Sequence, residues 1–479
     1  MIHLAKGAMT PEEKFRQMTE TPVKPLIARL AVPTIISMLV TSIYNMADTF
    51  FVGQIGTSAT GGVGVIFPLM AMIQAIGFTF GMGAGNNVSR LLGSRNEERA
   101  VQVASVGFFS AVACGLCLSV AGLLFLEPFV NLLGATDTIL PYAKEYAFYI
   151  LLAAPFMAGS FVLNNILRFQ GSAFYSMLGI GTGGVVNIIL DPIFIFGLNM
   201  GVGGAALATM LSQMLSFSIL LYQNHGRNGN IRVSFRSFRP NLGMYRDIFK
   251  TGLPSFYRQG LASLAITFLN ISAGVYGDAA IAAMSIVNRV TMFAQSVLLG
   301  FGQGFQPVCG FNYGAKRYDR VLEAFWFCIK VAVGVLLVFS VLGFAFAPQI
   351  IAIFRRDDAQ VIAIGALALR IQAATLTLSS WVILSNMLLQ NIGATLGASI
   401  LAIARQGLYF IPLVLILPHF IGLLGVQCAQ PIADVLTLIT AIPLGLATVR
   451  NIARLQAQLP RAGAGAEVSG EASTAAVEE

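Results

Sequence analysis

"FGMGAGNNVSRLLGSRNEER" (80–99) and "FGQGFQPVCGFNYGAKRYDR" (301–320) are two versions of one passage. Phe80, Gly81, Gly83, Gly93 and Arg99 coincide with Phe301, Gly302, Gly304, Gly314 and Arg320 under a single shift of 221 residues. The shift holds well beyond these ends. Upstream it brings Pro33 onto Pro254, Gly53 and Gly56 onto Gly274 and Gly277, and Gln74 onto Gln295. Downstream it brings Asn165 onto Asn386, and Gly201 and Gly204 onto Gly422 and Gly425. Scattered chance identities do not keep one offset, so the chain is a duplication with both copies in the same orientation. The glycines read as places where helices approach closely. They are not a phosphate cradle, because no strand precedes them and no Gly-Lys-Ser/Thr follows.

Composition says what has been duplicated. Of 479 residues, 56% are hydrophobic and only 10% charged, with a mean hydropathy of +0.77. A soluble domain carries about 25% charged residues. Apolar runs of about 20 residues, the length that crosses a bilayer, recur along the chain. Barrel strands would give a weaker signal. The first run is long and has no cleavage site after it, so it reads as a retained span. Twelve spans are expected, near 26–54, 60–90, 101–126, 140–167, 173–198, 202–222, 247–275, 280–310, 321–347, 361–388, 396–418 and 423–448. The expected fold is an all-α polytopic membrane protein of twelve transmembrane helices in two six-helix lobes. Residues 1–24 form a leader, 25–222 the first lobe, 223–246 a basic linker, 247–450 the second lobe and 451–479 a disordered tail. Parallel repeats of this kind place a transport pathway between two bundles.

The formal net charge is +8, but its distribution argues against nucleic acid. The cations gather in alternate loops: Arg90, Arg95 and Arg99; Arg227, Arg232, Arg236, Arg239 and Arg246; Lys316, Arg317 and Arg320; Arg450, Arg454 and Arg461. The opposite loops hold Glu127, Asp137, Asp278 and the mixed Arg355-Arg356-Asp357-Asp358. This is the positive-inside pattern, and it places both termini in the cytoplasm. Cys114-x-x-Cys117 lies in a span without a second pair and reads as packing.

Within the spans, "SIYNMADTFFVG" (42–53) carries one full charge, Asp48. A carboxylate there is costly unless compensated. The repeat provides a control. Asp48 maps onto Leu269, Asp191 onto Pro412 and Asn187 onto Leu408. The fold does not demand these polar groups, which points to function. At 1.5 Å per residue, Asp48 falls about 33 Å along its span and Asp191 about 27 Å along its own. Asn187 and Asp191 share a helix face, and Thr209 enters at a similar level. Two carboxylates, an amide and a hydroxyl of this kind hold a proton or a small cation such as Na⁺, and intramembrane acids mark ion pathways. Exposure to water near the surface, or capping of a helix broken at Asp191-Pro192, is the structural alternative.

The second half carries Arg258, Arg289, Arg370 and Arg405 with Asp434, where the first half has Ser37, Pro68, Tyr149, Gly184 and Gln213. One reading pairs Asp434 with one arginine while the others snorkel. The other makes Arg258 and Arg405 a cationic wall for an acidic group on a substrate. Tyr44, Met46, Phe67, Met70 and Phe161 are candidates for an aromatic and methionine lining of a substrate cavity.

"YNMADTFFVGQIG", "GMGAGNNVSRLLG", "NIILDPIFIFGLNMGVGGAALAT" and "GFQPVCGFNYGAKRYDRV" together resemble the multidrug and toxic compound extrusion (MATE) family, in its MepA-like bacterial branch. The resemblance covers about residues 20–450. It implies two lobes around a V-shaped cavity in a bacterial plasma (inner) membrane. It also implies antiport of amphiphilic, often cationic, drug-like small molecules against H⁺ or Na⁺, with no cofactor and no enzymatic step, by a monomer. Coupling residues of the first lobe correspond to Asp48, Asn187, Asp191 and Thr209. Members of the NorM type place carboxylates in spans 7 and 10, whereas here span 7 carries Arg258 and span 10 has no acid. The rival expectation is a lipid-linked oligosaccharide flippase of similar architecture. An intramembrane enzyme is disfavoured because His3, His225 and His419 lie far apart and no zinc or nucleophile constellation is present.

Overall fold

Backbone amides and carbonyls have no water to bond in lipid, so an apolar chain of this length resolves into helices. The computed structural model describes residues 10–225, 231–354 and 358–459. Arg227, the Arg355-Arg356-Asp357 run, Arg461 and the tail from 460 onward lie outside the described residues. The first lobe contains α1 (Val23–Gly53), α2 (Thr57–Gly93), α3 (Glu97–Leu124), α4 (Leu140–Phe169), α5 (Ala173–Pro192) and α6 (Gly201–His225). The second contains α7 (Leu242–Gly274), α8 (Asp278–Gly314), α9 (Tyr318–Ala345), α10 (Ala359–Leu376, resuming as Ser379–Ile392), α11 (Thr395–Ile421) and α12 (Leu423–Gln458).

Among the described residues, 11 of these helices are long and apolar enough to cross a membrane. The twelfth, α7, is as long but carries Arg246, Asp247, Lys250 and Arg258. It lies along α2 of the other lobe, so the repeat brings it into the bundle. Short helices Leu126–Leu132 and Ala347–Phe354 follow α3 and α9, and their first residues are again 221 apart (347 − 126). The helix α12 continues to Gln458, into the segment expected to be a disordered tail. Span 10, expected as one piece, is broken after Leu376.

The core shows how the lobes sit. At the end carrying the basic loops, one apolar cluster is shared by both lobes. It joins Leu26, Ile27 and Leu30 of α1 and Phe80, Ala84 and Val88 of α2 to Leu298, Phe305 and Val308 of α8. Toward the other end there are two separate clusters. One runs from Val52 to Ala206 within the first lobe, the other from Ala265 to Ala433 within the second. The lobes are thus joined at the basic end and part toward the other, which gives the V.

Polar contacts across the lobes agree. Thr34 Oγ1 donates to the Gly300 carbonyl at 2.6 Å, Ser42 and Ser296 hydroxyls are 2.9 Å apart, and Gln259 Nε2 donates to Gln74 Oε1 at 2.9 Å. The repeat-related Gly93 and Gly314 are points of very close approach. A β-carbon on Gly93 would stand 2.1 Å from the Phe311 carbonyl oxygen, and one on Gly314 would stand 2.0 Å from that of Arg90. Both clashes are with backbone, so neither position accepts a side chain while the lobes are joined.

A short N-terminal helix, Pro11–Glu20, straps this end. It starts at a capping box in which Thr10 and Glu13 satisfy each other's backbone N–H. On the first lobe, Lys14 Nζ donates to the Gly171 carbonyl at 2.8 Å, and Arg95 bonds Glu12 at 3.0 Å while lying over the Phe15 ring. On the second lobe, Asn312 Nδ2 donates to the Met18 carbonyl at 3.0 Å, and Arg320 donates to that of Thr21.

Candidate functional site

In the first lobe, α5 packs against both α1 and α6. Gly184 allows the approach to α1: a β-carbon there would lie 2.8 Å from Val40 and 3.3 Å from the Tyr44 ring. Tyr44 is therefore turned toward α5, and Asp48, one turn further along α1, follows on the same face. On α5, Asn187 and Asp191 occupy one face, and both are buried. Asn187 Nδ2 lies 3.3 Å from Asp191 Oδ1 and 3.4 Å from Thr209 Oγ1 on α6. The Asp48 and Asp191 carboxylates are within electrostatic range of each other and of Tyr146 on α4. The four residues expected from the sequence thus come together.

The α5 helix does not simply kink at Pro192. Residues Ile193–Gly197 form a π-turn, with Leu198 N–H donating to the Ile193 carbonyl at 2.9 Å. Such turns recur at functional sites because they re-aim neighbouring side chains.

The cluster also holds acceptors without donors. Asp48 Oδ1, Asn187 Oδ1 and Asp191 Oδ2 are buried oxygens with no hydrogen-bond donor among the described residues. Buried acceptors are normally satisfied. Three orphaned oxygens in one place suit a proton or a hard cation, which oxygen ligands bind. Among the described residues no group of three or more His, Cys, Asp or Glu side chains is placed to hold a metal. The donor set at hand is two carboxylates, an amide and a hydroxyl.

Tyr146 escaped the sequence reading. It is fully buried beside both acids, and its hydroxyl lies 3.8 Å from Met70 Sδ. An aromatic in an apolar span reads as packing. Its repeat counterpart, Leu367, is the signal that marks it.

The second lobe is arranged differently. Arg405 Nε lies 2.8 Å from Asp434 Oδ1, and its other nitrogens reach Gln295 Oε1 at 3.2 Å and Ser379 Oγ at 3.4 Å. Gln372 and Gln430 also donate to Asp434. Arg405 sits in a π-helical stretch, Ala404–Phe410, that turns it toward α12. Asp434 therefore pairs with Arg405. Arg289 is exposed, and Arg370 Nε reaches the Phe344 carbonyl at 3.3 Å. Arg258 lines a cavity of the second lobe and has no recorded partner among the described residues.

The expected lining residues divide. Phe67 is exposed and lies two turns from Gln74, on the face that meets the second lobe, so it looks across the cleft. Met46, one turn beyond Ser42, is placed likewise. Met70, Tyr44 and Phe161 lie inside the first lobe. Phe161 packs against Phe78, ring centroids 4.9 Å apart and planes tilted by 38°, and covers Gly77.

This geometry has close relatives. The chain is 29% identical over 435 residues to the "Multidrug export protein MepA" of Staphylococcus aureus (strain N315), covering 90% of this chain and 95% of that one. It superposes with a TM-score of 0.87 on a crystal structure of MATE in complex with MaL6, at 29% identity, covering 92% of this chain and 99% of the other. The outward-facing conformation of a multidrug resistance MATE family transporter of the MOP superfamily gives 0.85 at 29% identity, with 91% and 99% covered. The MatE family model matches twice, over residues 33–193 and 254–416. The two matches begin 221 residues apart (254 − 33), which is the offset of the repeat and of the twin lobes. A match that covers both halves in this register settles the family: the chain belongs to MatE, the multidrug and toxic compound extrusion transporters.

Proposed function

We propose that this protein is a secondary active exporter that exchanges amphiphilic, often cationic drug-like compounds for H⁺ or Na⁺ across a bacterial plasma membrane. The three orphaned oxygens at Asp48, Asn187 and Asp191 carry the reading. The second lobe carries an internally neutralised pair instead, so the coupling ion belongs to the first lobe. The basic end faces the cytoplasm, in keeping with its arginines and lysines. The joined state described above is then open to the outside.

In that state an ion from outside reaches Asp48 and Asp191 and cancels their charge. A neutral cluster tolerates burial better than an ionised one, so the first lobe rearranges and the lobes rock to open the basic end. There the ion leaves and a substrate enters the cleft lined by Met46 and Phe67. Each ligand drives the cycle only by its difference in affinity for the two states. Asn187 and Thr209 position Asp191.

The test uses inside-out vesicles holding a proton gradient, a panel of lipophilic cations, and wild type beside Asp48→Asn, with and without Na⁺. Substrate-dependent loss of the gradient in wild type but not in the mutant is expected for H⁺ coupling. Transport driven by Na⁺ alone would make the cluster a sodium site. No transport of any compound, with the mutant equal to wild type, would overturn the proposal.

A further inference from the structure

The second lobe holds a cavity that the coupling mechanism leaves unused. Its apolar wall includes Leu269, Met284 and Phe410, and amides such as Asn288 and Gln406 line the remainder. Gln259 also lines it while bonding Gln74 of the first lobe, so the cavity abuts the junction of the lobes. Two arginines reach it, and they are not equivalent. Arg405 is spoken for by Asp434 at 2.8 Å, by Gln295 and by Ser379. Arg258, next to Gln259, has no hydrogen bond or ion pair recorded with any described residue.

A second unpaired cation stands nearby. Arg168 of α4 is 1% exposed, and its Nε and Nη1 have no partner. Among the described residues it bonds Asn165 and the Met82 sulfur and lies over the Phe169 ring at 4.9 Å, and it is within electrostatic range of Arg258 across the lobe junction. Neither guanidinium has an acid partner among the described residues, and a guanidinium without a counter-charge in a low-dielectric setting calls for an anion. Among the described residues, Asp434 is the acid near this cavity, and Arg405 already holds it. The missing negative charge must come from a ligand.

We infer that the second-lobe cavity recognises the carboxylate of an amphiphilic substrate at Arg258, with the apolar body of that substrate lying against Leu269, Met284 and Phe410. Guanidinium suits a carboxylate because two parallel N–H groups match its two oxygens. Arg258 then decides whether this cavity prefers an amphiphile with a free carboxylate to its neutral counterpart. This deepens the exporter reading by naming a specificity-determining residue, but binding at the cavity does not depend on coupling.

The experiment is equilibrium binding to the purified full-length protein in detergent. The probes are a rhodamine dye with a free benzoate carboxylate and the methyl ester of the same dye. Wild type should prefer the free acid. Arg258→Gln should weaken free-acid binding by at least about tenfold and leave the ester within about twofold, the loss expected for a charged hydrogen bond. Arg258→Lys should recover part of the loss. Equal binding of acid and ester by wild type would overturn the inference, as would Arg258→Gln weakening both alike or neither. If Arg258→Gln does not fold, the wild-type preference and the Arg258→Lys variant decide. Discrimination in detergent without export in vesicles would count against the exporter reading alone, and export without discrimination would count against this inference alone.

Discussion

Gly184 and Arg405 occupy the same place in the two repeats and solve it in opposite ways. Gly184 draws α5 against α1, so that Tyr44 and Asp48 face into the first lobe. Arg405 keeps that space filled and reaches Asp434 on α12. One repeat is left with charge to neutralise, and the other neutralises its own.

Removing Arg405 should therefore be a structural injury. Asp434 is 2% exposed, and Arg405→Ala leaves its carboxylate buried with only amide donors. Breaking a buried pair costs about 3–5 kcal/mol. Thermal unfolding in detergent should show a large drop for Arg405→Ala, a smaller one for Arg405→Lys, and little change for Arg289→Ala, whose side chain is exposed. An unchanged midpoint for Arg405→Ala would show that the pair carries no stability.

The coupling cluster should respond in graded fashion. Asp48→Asn and Asp191→Asn remove a charge that the ion must meet, and exchange should fall to background. Asn187→Leu takes away the donor to Asp191 and Thr209, and the coupled rate should drop about tenfold. Thr209→Val removes one neutral partner, with a loss of about threefold. Initial rates in vesicles at matched protein levels give the order. Wild-type loss by Thr209→Val exceeding that by Asp191→Asn would contradict it.

The contact between Gly93 and Gly314 offers control of the conformational equilibrium. Gly314→Val places a branched side chain against the Arg90 carbonyl, so the basic end cannot close. Cys309 is fully buried beside Arg90 of the other lobe and is a native reporter. With Cys114 and Cys117 replaced by serine, since both are exposed, maleimide should label Cys309 slowly in wild type and at least about tenfold faster in Gly314→Val. Equal labelling would mean that closure does not need this contact.

The N-terminal strap should tighten with rising pH. Burial, helped by the positive charge of Arg29, pulls the Lys14 ammonium down from 10.5 to about 8. The sign follows from the docked helix favouring the neutral amine. Below pH 8 both docked and free forms are protonated and nothing changes. Between about 8 and 10.5 the docked form has lost its proton while the free one keeps it, so docking gains with pH. A spin or dye label on the helix should report firmer docking across that window. Lys14→Gln should abolish the dependence.

Much of this was legible in the chain. The repeat and its apolar runs marked out the helices, eleven of which are long and apolar enough to cross a membrane among the described residues, and the comparison of intramembrane polar groups with their repeat counterparts singled out Asp48, Asn187 and Asp191. What the chain hid was which way side chains point. That Met70 faces Tyr146 while Phe67 faces the cleft depends on helix rotation, which an all-apolar span does not encode in its periodicity. The choice of Arg405 as the partner of Asp434 was hidden too, because it hangs on a π-turn that shifts the helical phase. The break after Leu376 gave no proline or glycine warning.

The shared apolar cluster also bears on how the protein is made. Leu26, Ile27 and Leu30 leave the ribosome in the first span, yet their packing partners Leu298, Phe305 and Val308 belong to the eighth. The first lobe can complete its own outer core during synthesis, but its inner face must wait, uncovered, while two further helices enter the membrane. A nascent chain halted before α8 is the form in which that greasy face would recruit an insertase or chaperone. Crosslinking from Leu30 in chains stalled on either side of Gly314 would catch the handover.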